Sequence, residues 1–307
     1  MILVVIPALL VAAASVAGHA GAWWWMLDLF SNVRPQYAVA GVLLGLGLFV
    51  GRWRKTGGAV LTIGLVDAAL VGMLWLAPSA TPAPTGEEIT VMSFNVWASN
   101  ESMDAVFDYV RRVGPDVVFL HETTYLWEEA AMAADLGYEV HTAGQRGLIF
   151  STLVLAPEGA AVESYGFATA EPRAIEVVLD DADRTTRILG LHPISPITSE
   201  RAALRNAQMR WAVEWVRAAD GPVIVTGDLN TTQFSHAWRT LVRETGLLDS
   251  TRGFGLQPSF PMNGNPLVRV QIDHLLHSDH FVTLDRTLGP RLGSDHAPLI
   301  VRLAPAG

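Results

Sequence analysis

Residues 223–230 read VIVTGDLN. Val223-Ile224-Val225-Thr226 is β-branched and too short for a helix, so it reads as a strand buried on both faces. It stops at Gly227-Asp228-Leu229-Asn230, where an acid and an amide stand two residues apart on a backbone that glycine leaves free to turn. A strand end is rigid, so oxygen donors held there need little reorganisation to act on a bound group. The same arrangement recurs on both sides. Phe94-Asn95-Val96, His121-Glu122-Thr123 and Leu191-His192-Pro193 end three further apolar runs. Ile272-Asp273-His274 lies within another, and Ser294-Asp295-His296 precedes the last. Six such polar clusters in one domain are more than the ordinary polar punctuation between strands.

The runs themselves are Ile89 to Phe94, Val117 to Leu120, Leu148 to Leu155, Ala174 to Leu179, Arg187 to Leu191, Val223 to Thr226, Val270 to Leu276 and Leu299 to Leu303. Helical patterns stand between some of them, at Met103 to Val113, Tyr125 to Ala134, Glu200 to Ala219 and His236 to Thr245. In the third, Leu204, Ala207, Trp211 and Trp215 recur at spacings of three and four, which predicts one face buried against a sheet. The class is α/β, with no internal repeat.

The first part of the chain has a different composition. The protein has 307 residues, half of them hydrophobic, 17% charged, and none cysteine. Its mean hydropathy of +0.30 is high for a soluble protein. The lack of cysteine excludes disulfide scaffolds, thiolate metal sites and thiol nucleophiles. Of the 21 Lys and Arg only Arg34, Arg52, Arg54 and Lys55 precede residue 87, and of the 30 Asp and Glu only Asp28 and Asp67. The rest of the chain carries 17 positive and 28 negative charges, a net of −11. The expected organisation is a membrane segment over 1–77, a Pro-rich linker over 78–87 and a soluble acidic domain over 88–307.

Three apolar runs fill the membrane segment. Ile2 to Ala17 precedes Trp23, Trp24 and Trp25, indoles suited to a membrane interface. Tyr37 to Val50 is short for a span. Gly58 to Ala77, interrupted only by Asp67, reaches about 30 Å at about 1.5 Å per residue, enough to cross the hydrocarbon. A cleaved signal peptide is the alternative for the first run, disfavoured because no basic residue precedes it. Arg52, Arg54 and Lys55 lie between the second and third runs, and basic loops stay in the cytoplasm. The expectation is three transmembrane helices, a multi-pass cell-membrane protein, and a following domain outside the cytoplasm. Asp67, one acid near mid-span, reads as a packing residue more than a functional one.

The donors at the strand ends are hard. Carboxylate and amide oxygens from Asn95, Glu122, Asp228, Asn230 and Asp295 suit Mg²⁺ or Mn²⁺, whereas zinc favours more nitrogen and sulfur. His192 and His296 can carry positive charge beside an anion, and Asp273 can fix the tautomer of one of them. Phosphoester hydrolysis needs such parts: cations against the developing charge and a base for the attacking water.

Asn95, Glu122, His192, Gly227-Asp228-Leu229-Asn230, Ile272-Asp273-His274 and Gly293-Ser294-Asp295-His296, in this order, resemble the endonuclease/exonuclease/phosphatase superfamily over about residues 88 to 304. The apolar head, and His192-Pro193 to Pro196 followed by Arg205 and Gln208, resemble its bacterial membrane-anchored members. The resemblance implies a four-layer α/β/β/α sandwich with the active site at one end. It implies that Glu122 is the principal metal ligand with Asn95 beside it and Asp295 on the metal side. Asp228 would orient or deprotonate water while Asn230 holds Asp228 and the phosphate. His296, held by Asp273, would contact the phosphate oxygens, and His192 would stabilise charge from the opposite side.

The substrate class stays open among phospholipid, nucleic acid and small phosphodiester. A domain of net −11 without a lysine after Lys55 lacks the basic surface that duplex DNA asks for. The alternative is a catalytically silent module that binds lipid or a partner on the same fold. Such a module is expected to have lost Glu122, Asp228 or His296, and this chain has all three.

Overall fold

The computed structural model describes residues 2–76, 83–143, 151–167, 172–180 and 184–307. They fall into two compact units. The first comprises Met1–Pro78, Thr231–Thr240 and Arg252–Leu256, and the second the rest of the chain.

In the first unit the apolar runs form α1 (Ile2–Gly18), α3 (Arg34–Val50) and α4 (Arg54–Gly72), the last continued by a 3-10 turn over Met73–Trp75. Between α1 and α3 lies α2 (Trp25–Ser31), where only interfacial indoles were expected. Among the described residues, Arg54–Trp75 is one helix long and apolar enough to cross a membrane. Trp25–Ser31 and Arg34–Val50 pass the same test only as a pair bent by 65°, and Leu3–Gly18 is apolar but shorter. Glycines bring α3 and α4 together: a Cβ on Gly41, Gly45, Gly57 or Gly64 would stand 2.3–2.9 Å from the facing backbone. Asp67 is buried with Arg34 and Ser15, which reach its two oxygens at 2.5 and 2.6 Å, so its charge is paired within the helices. Asn32 Oδ1 accepts from the Thr232 amide at 2.9 Å and Asp28 Oδ1 from the His236 amide at 2.5 Å, which groups residues 231–240 with these helices.

The second unit runs β1 (Ile89–Asn95), α5 (Met103–Val113), β2 (Val117–Thr123), α6 (Tyr125–Ala133), β3 (Glu139–Ala143), β4 (Ser151–Ala156), β5 (Ala161–Gly166), β6 (Pro172–Asp180), β7 (Thr185–Leu191), α7 (Ser199–Ala218) and β8 (Val223–Asp228). After α8 (His236–Thr245) come β9 (Leu248–Asp249), β10 (Asp273–His277), β11 (Phe281–Leu288) and β12 (Leu299–Pro305). The strands form two six-stranded sheets, ordered β11-β12-β1-β2-β4-β3 and β5-β6-β7-β8-β10-β9. Val91, Val117, Phe119 and Val154 of the first sheet meet Ile175, Val177, Ile188, Ile224 and Leu275 of the second in one buried core. On the outer face of the first sheet Met92, Phe94, Val118, Leu120 and Leu153 pack under Val106, Phe107 and Val110 of α5 and Trp127 of α6. On the outer face of the second, Trp215 of α7 donates to buried Glu176 at 3.1 Å and Trp211 stacks on Tyr165. Helix, sheet, sheet and helix make four layers.

Two expected stretches lie partly outside the described residues, and two details differ from the sequence reading. The residue range 78–82 of the expected linker and the first residues of the run at Leu148, 148–150, lie outside the described residues. The last-but-one run begins as a strand only at Asp273, its Val270 pairing instead with Phe260. The buried face of α7 follows the expected Leu204–Ala207–Trp211–Trp215 stripe only in part: Trp215 is buried and Leu204 and Trp211 are half-buried, but Ala207 is exposed, and the buried face also includes Ala202, Arg205, Gln208, Met209, Ala212 and Val216. Two polar residues lie in it, and Gln208 does so because its Oε1 accepts the Ile194 amide at 2.8 Å, holding the chain just after His192.

Candidate active site

Strand direction gathers the polar clusters at one end of both sheets. β1 and β2 are parallel with Asn95 beside His121, so Asn95 and Glu122 leave the first sheet together. β7 and β8 are likewise parallel, which places His192, one residue past β7, near Asp228 at the end of β8. β10 runs against β8 with Asp273 opposite Asp228. β12 runs against β1, and Ser294, ahead of β12, donates to the Asn95 carbonyl at 2.7 Å.

The local backbone is bent to aim these groups. The β2–β4 register slips between His121 and Thr123, and Glu122 between them has φ of +59°, as Asn230 has +51°. Left-handed conformations cost free energy in residues other than glycine and cluster at functional sites. Gly227 has φ of +145°, and a Cβ there would stand 2.0 Å from the Leu191 carbonyl oxygen. Only glycine lets β8 pass so close to the end of β7.

Asp228 is the hub. Asn95 Nδ2 donates to Glu122 Oε1 at 2.9 Å and to Asp228 Oδ2 at 3.0 Å, while Asn95 Oδ1 accepts the Trp97 amide. As oriented, Asn95 therefore presents its amide nitrogen to the carboxylates. His192 Nε2 lies 3.7 Å from Glu122 Oε1 and 3.5 Å from Asp228 Oδ2. From the other side His296 Nε2 stands 3.7 Å from Asp228 Oδ2, and its Nδ1 is 2.9 Å from Asp273 Oδ2. Asp228 Oδ1 accepts the Asn230 amide at 2.8 Å, and Asn230 Nδ2 donates to the Pro193 carbonyl at 3.0 Å. Seven of the eight expected residues are thus joined by contacts of 3.7 Å or less. The eighth, Asp295, is half-buried beside His296.

Burial and charge set the protonation states. Asp228 is 1% exposed, and burial pushes its carboxyl up to about 7, with His296 pulling the other way and Asp273 adding to the rise. Burial also pulls His296 down, but Asp273 and Asp228 together outweigh it and hold the imidazole at about 9. For Asp273 burial alone would raise the carboxyl; the charge and hydrogen bond of His296 win, and it is lowered. At neutral pH His296 and Asp273 are an ion pair.

Glu122, His192 and Asp228 each offer a ligand atom, and these atoms lie within 4.8 Å of one another. Two carboxylates and an imidazole fit a divalent cation by donor chemistry.

Three further residues complete the site; Phe260 carries no signal in the sequence, while His121 and Ser294 stand in the quoted clusters without a role of their own. The Phe260 ring lies against His296, centroids 4.7 Å apart. His121 is fully buried behind the site, 5.5 Å from the His192 ring, and burial lowers it to about 4, so it is neutral. Ser294 Oγ also accepts the His296 amide at 2.9 Å, fixing the turn that presents the imidazole. The hydroxyl of Ser294 is an ordinary turn residue until its partners are known.

The model of the endonuclease/exonuclease/phosphatase family matches residues 92–296. Solved structures share the fold at low identity. Truncated TDP2 from Caenorhabditis elegans is 20% identical, with a TM-score of 0.57, over 72% of this chain and 98% of that one. An endonuclease/exonuclease/phosphatase from Bacteroides vulgatus is 15% identical, with a TM-score of 0.59, over 72% and 100%. Danio rerio TDP2 in complex with a single-strand DNA product is 16% identical, with a TM-score of 0.58, over 71% and 99%. No curated protein matches the chain in sequence.

Proposed function

The chain belongs to the endonuclease/exonuclease/phosphatase family, whose members are generally metal-dependent phosphoester hydrolases, and from that premise we propose that it is a phosphodiesterase anchored in the membrane, with its active site outside the cytoplasm. The observation that carries the reading is the convergence on Asp228 of two imidazoles and two amides, with a Glu122 carboxylate oxygen within 4.8 Å.

In this reading Glu122 would hold the divalent cation, Mg²⁺ or Mn²⁺, with Asn95 beside it and Asp295 on the metal side. Bound there, the cation supplies Lewis-acid stabilisation of the phosphoryl oxygens. Asp228, whose carboxyl is raised by burial, accepts the proton of the attacking water. The water oxygen bonds to phosphorus in line with the leaving oxygen, whose bond to phosphorus breaks and which departs as the alcohol after taking up a proton from solvent, Asp228 returning the proton it accepted to solvent. Asn230 orients Asp228 and the phosphate. His296, kept cationic by Asp273, and His192 on the opposite side meet the charge that develops on phosphorus.

The basic cluster Arg52, Arg54 and Lys55 supports a cytoplasmic loop before α4 and an outward α4. An acidic catalytic unit near lipid headgroups favours a phospholipid or another phosphodiester of the cell surface over duplex DNA. The test is the full chain in detergent against phospholipids, single-stranded DNA and bis(4-nitrophenyl) phosphate, with Mg²⁺ and with excess chelator. Hydrolysis of a diester that stops in chelator is expected. Binding of lipid without turnover of any of them favours the silent module instead.

A further inference from the structure

Arg286, on β11, is the charged group that the chemistry above does not use. It is 1% exposed, and among the described residues no carboxylate oxygen comes within 4.0 Å of its guanidinium. Its three hydrogen bonds go to neutral acceptors: Nε to Ser250 Oγ at 3.2 Å, Nη1 to Gln257 Oε1 at 2.5 Å and Nη2 to the Asp273 carbonyl at 3.2 Å. Gln257 clamps the other end by donating Nε2 to the Arg286 carbonyl at 2.7 Å. The side chain thus crosses from the first sheet to the first residue of β10 in the second, and ends against the residue that holds His296.

A core that needed only volume here would be served more cheaply by an apolar side chain, because a buried guanidinium without a carboxylate is poorly compensated. The acids that act on Arg286 are Asp249 and Asp273; burial lowers it to about 10, so it stays charged at neutral pH. Asp273 and Asp228 are both fully buried and face each other across β8 and β10.

We propose that Arg286 is a positioning residue for the Asp273–His296 pair: it fixes the Asp273 backbone from behind, and with it the carboxylate that holds His296 Nδ1. The proposal rests on the reading of His296 as a cation beside the phosphate.

The test uses the full chain, labelled with [¹⁵N]histidine, in detergent. The wild type is expected to show a downfield Nδ1 proton for His296, assigned by its loss in His296→Ala. Arg286→Met should lose or strongly shift that resonance and lower kcat by about 10- to 100-fold with KM within about twofold, the usual cost of removing a group that supports an acting residue. Arg286→Lys, which keeps the charge and loses the fork, should keep the resonance and fall between. A folded Arg286→Met with the wild-type resonance and kcat overturns the proposal. If Arg286→Met does not fold, Arg286→Lys decides: reduced kcat at unchanged KM supports it, and wild-type kcat overturns it. A wild type that hydrolyses no diester while Arg286→Met abolishes the resonance would refute the proposed function and leave the positioning intact.

Discussion

Replacing Asp273 by Asn removes the group that keeps His296 charged while leaving nearly the same shape. His296 stands at about 9 because Asp273 and Asp228 overcome the downward pull of burial, and Asp273 contributes both charge and the 2.9 Å hydrogen bond. Without it, burial is opposed mainly by Asp228, and the imidazole should return to about 6.5 or lower. A cation with a value of about 9 is present below that pH and lost above it; in the variant the loss moves down to about 6.5. At pH 7.5 the charged fraction falls from about 97% to about 10%, so kcat of Asp273→Asn relative to the wild type at the same pH should be about tenfold lower there and recover toward pH 6. His296→Ala deletes the charge altogether and should cost about 10²- to 10³-fold at all pH values. The double variant should be no more than about threefold worse than His296→Ala, because the two residues act as one. Initial rates on bis(4-nitrophenyl) phosphate with saturating Mg²⁺, followed at the isosbestic wavelength of the product, give all three values. If the single effects multiply in the double variant, or if Asp273→Asn is slower than the wild type by the same factor at pH 6 and 7.5, Asp273 does not act through His296.

Gly227→Ala should destabilise the chain by about 3 kcal/mol or more, since the new Cβ meets the Leu191 carbonyl at 2.0 Å at a φ of +145°; an unchanged urea midpoint would contradict this. His121 is buried neutral, its value lowered from 6.5 to about 4 by burial, so the unfolded chain binds the proton first as pH falls. Stability should therefore drop between pH 6.5 and 4, by on the order of 3 kcal/mol from this residue, and a His121→Gln variant should lose that part of the slope in urea titrations. Alkaline-phosphatase fusions after Pro84 should be active and fluorescent-protein fusions dark; the reverse pattern would place the catalytic unit in the cytoplasm.

How far each element was legible in the sequence depends on how strongly it is buried. Strands such as Val117–Thr123 and Val223–Asp228 are buried along their length and read as apolar runs. β3, β5, β9 and β11 do not: β5 is exposed or half-exposed throughout, and β11 carries Asp285 and Arg286 in mid-strand, so neither has an apolar run to find. The site residues stood out because strand ends must be polar in sequence before they can converge in space. Their supports did not. Phe260 against His296 and Arg286 behind Asp273 matter only through contacts between segments distant in sequence, and the buried Gln208 of α7 departs from the apolar spacing because it serves the His192 loop.

The central claim is that Glu122 holds a divalent cation on which phosphodiester hydrolysis depends. Initial rates of the wild type and Glu122→Gln across a Mg²⁺ titration, started from chelator-treated protein, test it most directly. The account predicts no turnover without metal, saturable activation of the wild type, and an apparent Mg²⁺ affinity at least about tenfold weaker in Glu122→Gln, the variant having lost a charged ligand. Turnover that persists in chelator, or a Glu122→Gln titration that overlays the wild type, would contradict it.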